Sequence, residues 1–180
     1  MYSSDRVQLF NCIRDIPYSI GLTMNAPDYG CGTKSAMLGQ LLGGLGLETR
    51  LRICTFAWEE TPLPPKVLEV PHTLEAFHQF LQLFVPESNT WRTVDPTWDA
   101  PLGRAGFTVA EWDGLHDTPM AITPHKIYNP RESQTFLQTT WNETFAEKWI
   151  AEHHNFYKAV NEFLGNARMA VSMLPAAHLK

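Results

Sequence analysis

Two segments that read as strands, Phe77 to Val85 and Trp91 to Thr97, flank the stretch Pro86-Glu87-Ser88-Asn89, and this unit restricts the fold more than any other. Pro, Ser and Asn between the two strands favour a turn, so an antiparallel hairpin is predicted. Parity carries the reading further. If the four residues 86–89 form the loop, Val85 opposes Thr90 and the numbers in each pair sum to an odd value. His78, Phe80, Gln82 and Phe84 then share a face with Trp91, Thr93, Asp95 and Thr97. His78 and Asp95 become diagonal neighbours, about 7–8 Å apart by backbone spacing. A five-residue loop would set them on opposite faces, because a slip of one residue reverses every side chain.

Upstream, Val7, Leu9, Phe10 and Ile13 give residues 5–14 a helical pattern that ends near Pro17. Thr33 to Leu45 is the best helix of the first half, with Ala36, Met37, Leu38, Leu41, Leu42 and Leu45 at three- and four-residue steps and Gly46 as its stop. Gly39, Gly43 and Gly44 weaken that helix, so close packing against another element is expected at them. Thr49 to Trp58 alternates as a half-buried strand, Thr61 to Pro71 reads as a proline-rich loop, and residues 98–135 look irregular. Thr140-Trp141-Asn142-Glu143 offers a capping box for a last helix, striped by Phe145, Trp149, Phe156, Val160, Phe163 and Leu164, with a break at Gly165. The order predicts an α+β fold with an antiparallel sheet, in one domain spanning 1–180, with a C-terminal helical extension over about 139–170.

The chemistry centres on Cys31 in Asp28-Tyr29-Gly30-Cys31-Gly32-Thr33-Lys34. A cysteine between two glycines at a helix start meets unpaired amide N–H groups and a helix dipole that favour an anion, with open space around the sulfur. Cys31 would attack a carbonyl, His78 would take its proton and return one to the leaving group, and Asp95 would fix the imidazole tautomer. The Cys31 N–H is a natural oxyanion donor, with Tyr18, Asn25 and Tyr29 as candidates for a second. His72, in a Pro71-His72-Thr73 loop setting, is the rival base. Cys12 and Cys54 read as core residues, and Trp58, Trp91, Trp98 and Trp112 as core or rim aromatics, some of which would line an acyl cleft.

A formal net charge of −5 without a Lys/Arg-rich stripe argues against a nucleic-acid partner. No stretch is apolar enough to span a bilayer, and Met1 to Arg6 lacks a secretion signal. Three cysteines without CxxC spacing suit free thiols in a reducing cytoplasm. His153 and His154 are adjacent on a helix and so face apart, and His72, His78 and Asp95 have no local ligand spacing for zinc. No metal or cofactor is expected. The expected partner is a peptide, protein or small amide or acyl substrate.

In three blocks over residues 28–99 the chain resembles the transglutaminase-like superfamily of cysteine enzymes. Gly30-Cys31, the helix through Ala36, Leu41 and Leu42, and Leu45-Gly46-Leu47-Glu48-Thr49-Arg50 resemble its nucleophile motif. His78-Gln79-Phe80-Leu81-Gln82-Leu83-Phe84 resembles its histidine strand, and Trp91-Arg92-Thr93-Val94-Asp95-Pro96-Thr97 its aspartate strand, the most specific of the three. Phe80 stands where a tryptophan is usual and Gln82 where an acidic residue is frequent, while Gly32-Thr33-Lys34 is similar to bacterial members. The resemblance implies a papain-like α+β core and acyl transfer or amide hydrolysis by a Cys31–His78–Asp95 triad. No calcium-binding carboxylate cluster accompanies the motifs, which argues against a calcium-activated protein cross-linker. The Phe80 and Gln82 departures leave room for a non-catalytic binding or scaffolding domain that keeps the fold. An arylamine-type acetyltransferase would use the same residue types, but its Arg-Gly-Gly lead-in is missing before Cys31.

Overall fold

The computed structural model describes residues 3–172, so the Met1-Tyr2 start of the N-terminal segment read above lies outside the described residues. Helices α1 (Ser3–Arg14) and α2 (Cys31–Gly44) precede strand β1 (Thr49–Phe56), a short helix α3 (Pro65–Leu68), and strands β2 (Ala76–Val85) and β3 (Thr90–Val94). A two-residue strand β4 (Lys126–Ile127), helix α4 (Pro130–Thr135) and the long helix α5 (Glu143–Ser172) complete the α+β fold. The strands form one antiparallel sheet in the order β3-β2-β1-β4. Among the described residues no helix is long and apolar enough to cross a membrane.

The hairpin has the register that parity predicts, with Val85 opposite Thr90 and Leu81 opposite Val94. Alternation along β2 then divides two cores between the faces of the sheet. Leu81, Leu83 and Val85 pack with Phe10, Ile13, Leu38 and Leu42 of α1 and α2. Ala76 and Phe80 join Phe56, Trp58, Trp98 and the α5 residues Phe156, Val160 and Leu164 on the opposite side.

The third strand is shorter than the expected Trp91 to Thr97. It ends at Val94, and the following Asp95-Pro96 leaves the ladder because proline has no N–H to donate. Only Leu81 to Val85 of β2 pair with β3, so the edge of β2 from Ala76 to Phe80 is open on that side. The first turn of α2 takes up that edge. Ser35 Oγ donates to Gln79 O at 3.2 Å, and Gln79 Nε2 donates to Gly32 O at 3.0 Å.

Several local expectations need correction. The last helix begins at Asn142, whose side chain accepts the Phe145 N–H at 3.0 Å, whereas Thr140 sits in a π-helical turn spanning Phe136–Thr140. The reciprocal capping box belongs to Asn129 and Glu132 at the start of α4, inside the stretch expected to be irregular. Helix α5 runs through Gly165 without a break. Gly39 has the packing reason expected of it, since a Cβ there would come within 3.1 Å of Leu81 Cδ1, but Gly43 and Gly44 face open space.

One buried charge ties these layers together. Lys34 is fully buried, and its Nζ donates to the carbonyls of Arg14, Ile16 and Thr97 at 2.8, 2.9 and 2.8 Å. Burial pulls the ammonium down to about 8, opposed by the negative charge of Asp99. Asp99 in turn accepts the Tyr18 N–H at 2.9 Å and the Arg168 guanidinium of α5 at 2.6 and 2.8 Å. Stripping a donor from a buried carbonyl costs about 1–3 kcal/mol. Lys34→Met is therefore expected to lower the unfolding free energy by at least about 3 kcal/mol in a urea titration. Lys148→Met, which removes an exposed ion pair to Glu152, should cost less than about 1 kcal/mol. Equal urea midpoints for the two variants would contradict the clamp.

Candidate active site

Cys31 is the first residue of α2, two positions earlier than the sequence pattern places the helix start. Its N-cap, Gly30, is extended and has no side chain to cap the helix. The Lys34 N–H closes the first helical bond onto Gly30 O at 3.0 Å, which leaves the Cys31, Gly32 and Thr33 N–H groups outside the ladder. Asp28 braces this entry, accepting the Gly21 N–H at 2.8 Å on one oxygen and the Thr33 hydroxyl at 2.6 Å on the other. The thiol is half-buried at the edge of a cavity of about 450 Å³.

The structure brings His78 and Asp95 to Cys31. His78 Nε2 lies 2.8 Å from Asp95 Oδ2, and both residues are almost fully buried. With Nε2 engaged, Nδ1 is the ring nitrogen left for the Cys31 thiol, which acts on the imidazole both as a charge and as a hydrogen-bond partner. Burial disfavours imidazolium, but the charges of Asp95 and Cys31 and hydrogen bonds to both outweigh it, and His78 is pushed up to about 10. Asp95 moves the other way. Burial raises it, while the His78 charge and hydrogen bonds from His78, Thr97 and the Ala121 N–H more than compensate, so its carboxyl titrates below the ordinary aspartate value. Thr97 Oγ1 donates to Asp95 Oδ1 at 2.6 Å and the Ala121 N–H donates to Oδ2 at 2.8 Å, so both carboxylate oxygens are held.

The other candidates separate clearly. Tyr18 lines the cavity beside Cys31, and its hydroxyl has no hydrogen-bond partner among the described residues, whereas Asn25 and Tyr29 are exposed and outside the lining. His72 is engaged elsewhere, stacked on Phe156 and bonded to Val70 O at 2.7 Å and Glu59 at 3.1 Å. Cys12 is exposed, not a core residue, because the face of α1 that carries it points away from α2. Cys54 is fully buried across the ladder from His78, and burial, followed by the charges of Asp95 and Cys31, pushes its thiol far up. Of the four tryptophans considered for a cleft only Trp58 lines it; the other aromatic walls are Phe77, Phe136, Trp141, Trp149 and Tyr157.

The two departures from the motif pattern take defined places. Phe80 lies parallel to the His78 ring, with centroids 6.4 Å apart, and Gln82 accepts from Arg50 and Arg52 further along the strand. Sequence reasoning missed the supporting residues Lys34, Gln79, Thr97 and Thr118, the last of which accepts the Asp95 N–H at 2.9 Å. Lys34 did carry a signal, as the one charged residue in an otherwise neutral helix. In comparison with known proteins, the chain matches no family model, no curated protein and no solved structure.

The His78 shift sets a pH dependence of stability. Folding raises this group from 6.5 to about 10, so its contribution is complete below pH 6.5 and is lost as the pH rises toward 10. The depressed Lys34 acts with the opposite sign, but only above about 8. Between pH 6.5 and 8 the unfolding free energy is therefore expected to fall with rising pH, by as much as about 1 kcal/mol per unit. His78→Gln should flatten this slope in denaturant titrations repeated across the window, and a slope unchanged by the substitution would contradict the assignment.

Proposed function

We propose that this protein is a cysteine-nucleophile acyl enzyme, a hydrolase of amide, ester or thioester-like substrates, with Cys31 as nucleophile, His78 as acid and base, and Asp95 as the carboxylate that orients the imidazole. One observation carries the reading: His78 Nε2 is bonded to the Asp95 carboxylate, and the charge of Cys31, whose thiol borders a cavity, acts on the same buried imidazole. The papain-like arrangement implied by the resemblance to transglutaminase-like enzymes agrees with a nucleophile on a helix N-terminus and a base and carboxylate on an adjoining antiparallel hairpin.

In the proposed reaction the Cys31 proton already rests on His78, which holds it as imidazolium, and Cys31 Sγ attacks the carbonyl carbon. The negative oxygen meets the Cys31 N–H, free of the helical ladder, and the Tyr18 hydroxyl, which burial and the neighbouring charge of Cys31 keep protonated well beyond the usual tyrosine range. The tetrahedral species collapses, the carbon–heteroatom bond breaks, and the imidazolium protonates the leaving group. Water then attacks the thioester with the now neutral His78 as base, releasing the acid and restoring the sulfur–imidazolium pair. Asp95 stabilises each imidazolium through Nε2.

The neutral Phe80 and Gln82 leave this machinery in place, because Phe80 supplies an aromatic face to His78 and Gln82 is occupied with arginines. In a Cys12→Ser background at neutral pH, iodoacetamide is expected to alkylate Cys31 faster than Cys54 by roughly tenfold or more, and His78→Gln should slow the Cys31 reaction specifically. Equal rates at the two thiols would overturn the reading. Tyr18→Phe is expected to lower kcat on an activated ester by about 10²–10³-fold with little change in KM, as for loss of one oxyanion donor. A loss confined to KM would assign Tyr18 to binding alone.

A further inference from the structure

The cavity beside Cys31 has a definite chemical character. Its far wall is a continuous set of aromatic contacts: Phe77 of β2 lies 4.7 Å from Phe136 and 5.6 Å from Trp149 between ring centroids, and Trp141 reaches Phe136 and Trp149 at 6.2 and 6.3 Å. Leu137 and Ile150 fill the wall between these rings. The indole N–H of Trp149 is spent on the Tyr157 hydroxyl at 2.6 Å, so that ring offers the cavity no polar donor. Apart from Phe77, these residues come from the π-helical turn, the Trp141 that follows it and α5, which are separate from the three motif blocks, so the C-terminal part of the chain supplies this aromatic wall.

Charge is as informative as shape. Among the described residues, those around the cavity include no Lys, Arg or His, and their one carboxylate, Asp28, already accepts from Gly21, Gly30 and Thr33. An anionic group seated against the aromatic wall would meet no cation in the lining and would lose its hydration at a net cost. An uncharged apolar group would exchange water for aromatic surface. The volume of about 450 Å³ is ample for such a group, since a cavity of about 150 Å³ already holds benzene.

We infer that this aromatic cavity is the acyl-side-chain subsite, so that the substrates are esters or amides of uncharged aromatic or medium-chain aliphatic acyl groups. The inference rests on Cys31 acting as an acyl acceptor. The chemical step is the one above: the carbonyl carbon bonds to Cys31 Sγ, the alcohol or amine leaves with the proton from His78, and water cleaves the thioester. The same apolar acyl chemistry could come from a free acid derivative or from a peptide side chain, and the test separates the two.

The test measures acylation of Cys31 by intact mass and p-nitrophenol release, with p-nitrophenyl acetate, phenylacetate, decanoate, N-acetylphenylalaninate and the anionic hemisuccinate. The phenylacetate or decanoate is expected to acylate Cys31 at least tenfold faster than the acetate or hemisuccinate. A faster N-acetylphenylalaninate supports the same subsite and identifies the source as a peptide. Trp141→Ala, at a half-exposed position, should reduce the preference for large acyl groups over the acetate at least several-fold. Ile150→Lys should shift the preference toward the hemisuccinate, a change that simple loss of packing would not produce. Acylation of Cys31 by the acetate with no preference for apolar groups, or with preference for the hemisuccinate, would overturn the subsite and leave the nucleophile reading standing. Failure of every ester to acylate Cys31 would overturn both.

Discussion

A buried ammonium sets the geometry on which the rest of this molecule depends. Lys34 lies one helical turn beyond Cys31, and an amino group so far from water is tolerated only with acceptors on all sides. Its three carbonyls belong to Arg14 at the end of α1, to Ile16 just after it and to Thr97, two residues past Asp95. One side chain therefore fixes the start of the nucleophile helix against the loop that carries the carboxylate. Arg168 and Asp99 extend the same network to the far end of α5, so the long helix is latched to the segment that presents Tyr18.

The second constraint is an unfinished sheet. Because β3 ends at Val94, the edge of β2 beside His78 lacks a strand partner, and unpaired backbone groups there would cost free energy if buried. The first turn of α2 occupies that edge through Ser35 and Gln79. The strand that ends early thus opens the position at which a thiol on a helix start reaches an imidazole within a sheet. Asp95, released from the ladder by the following proline, is free to be held by Thr97 and Ala121 while facing His78.

Much of this was legible in the sequence because strand parity and helical spacing are strict. The helix behind Cys31 follows from spacing, and the hairpin register, with His78 and Asp95 brought together, is the one of the two alternatives that a four-residue loop gives. The clamp was not legible, since the three carbonyls that hold Lys34 come from residues whose side chains carry no signal of that role. Strand β4 was missed for a similar reason. It is two exposed residues long, and its place beside β1 is set by backbone hydrogen bonds that no alternation announces. Of the cleft wall only Trp58 was legible, because Trp149 reaches the site from α5 and Trp141 from the segment just before it, both far in sequence from the motifs.

The account stands or falls on whether thiol, imidazole and carboxylate behave as one coupled unit. Nitrogen-15 NMR of the histidine rings across pH reads this directly. The account predicts that His78 keeps its proton to about 10, with Nε2–H in a strong hydrogen bond, and that Cys31→Ala lowers its titration because one of the groups holding the proton is gone. A His78 that titrates near 6.5 and is indifferent to loss of the Cys31 thiol would contradict it.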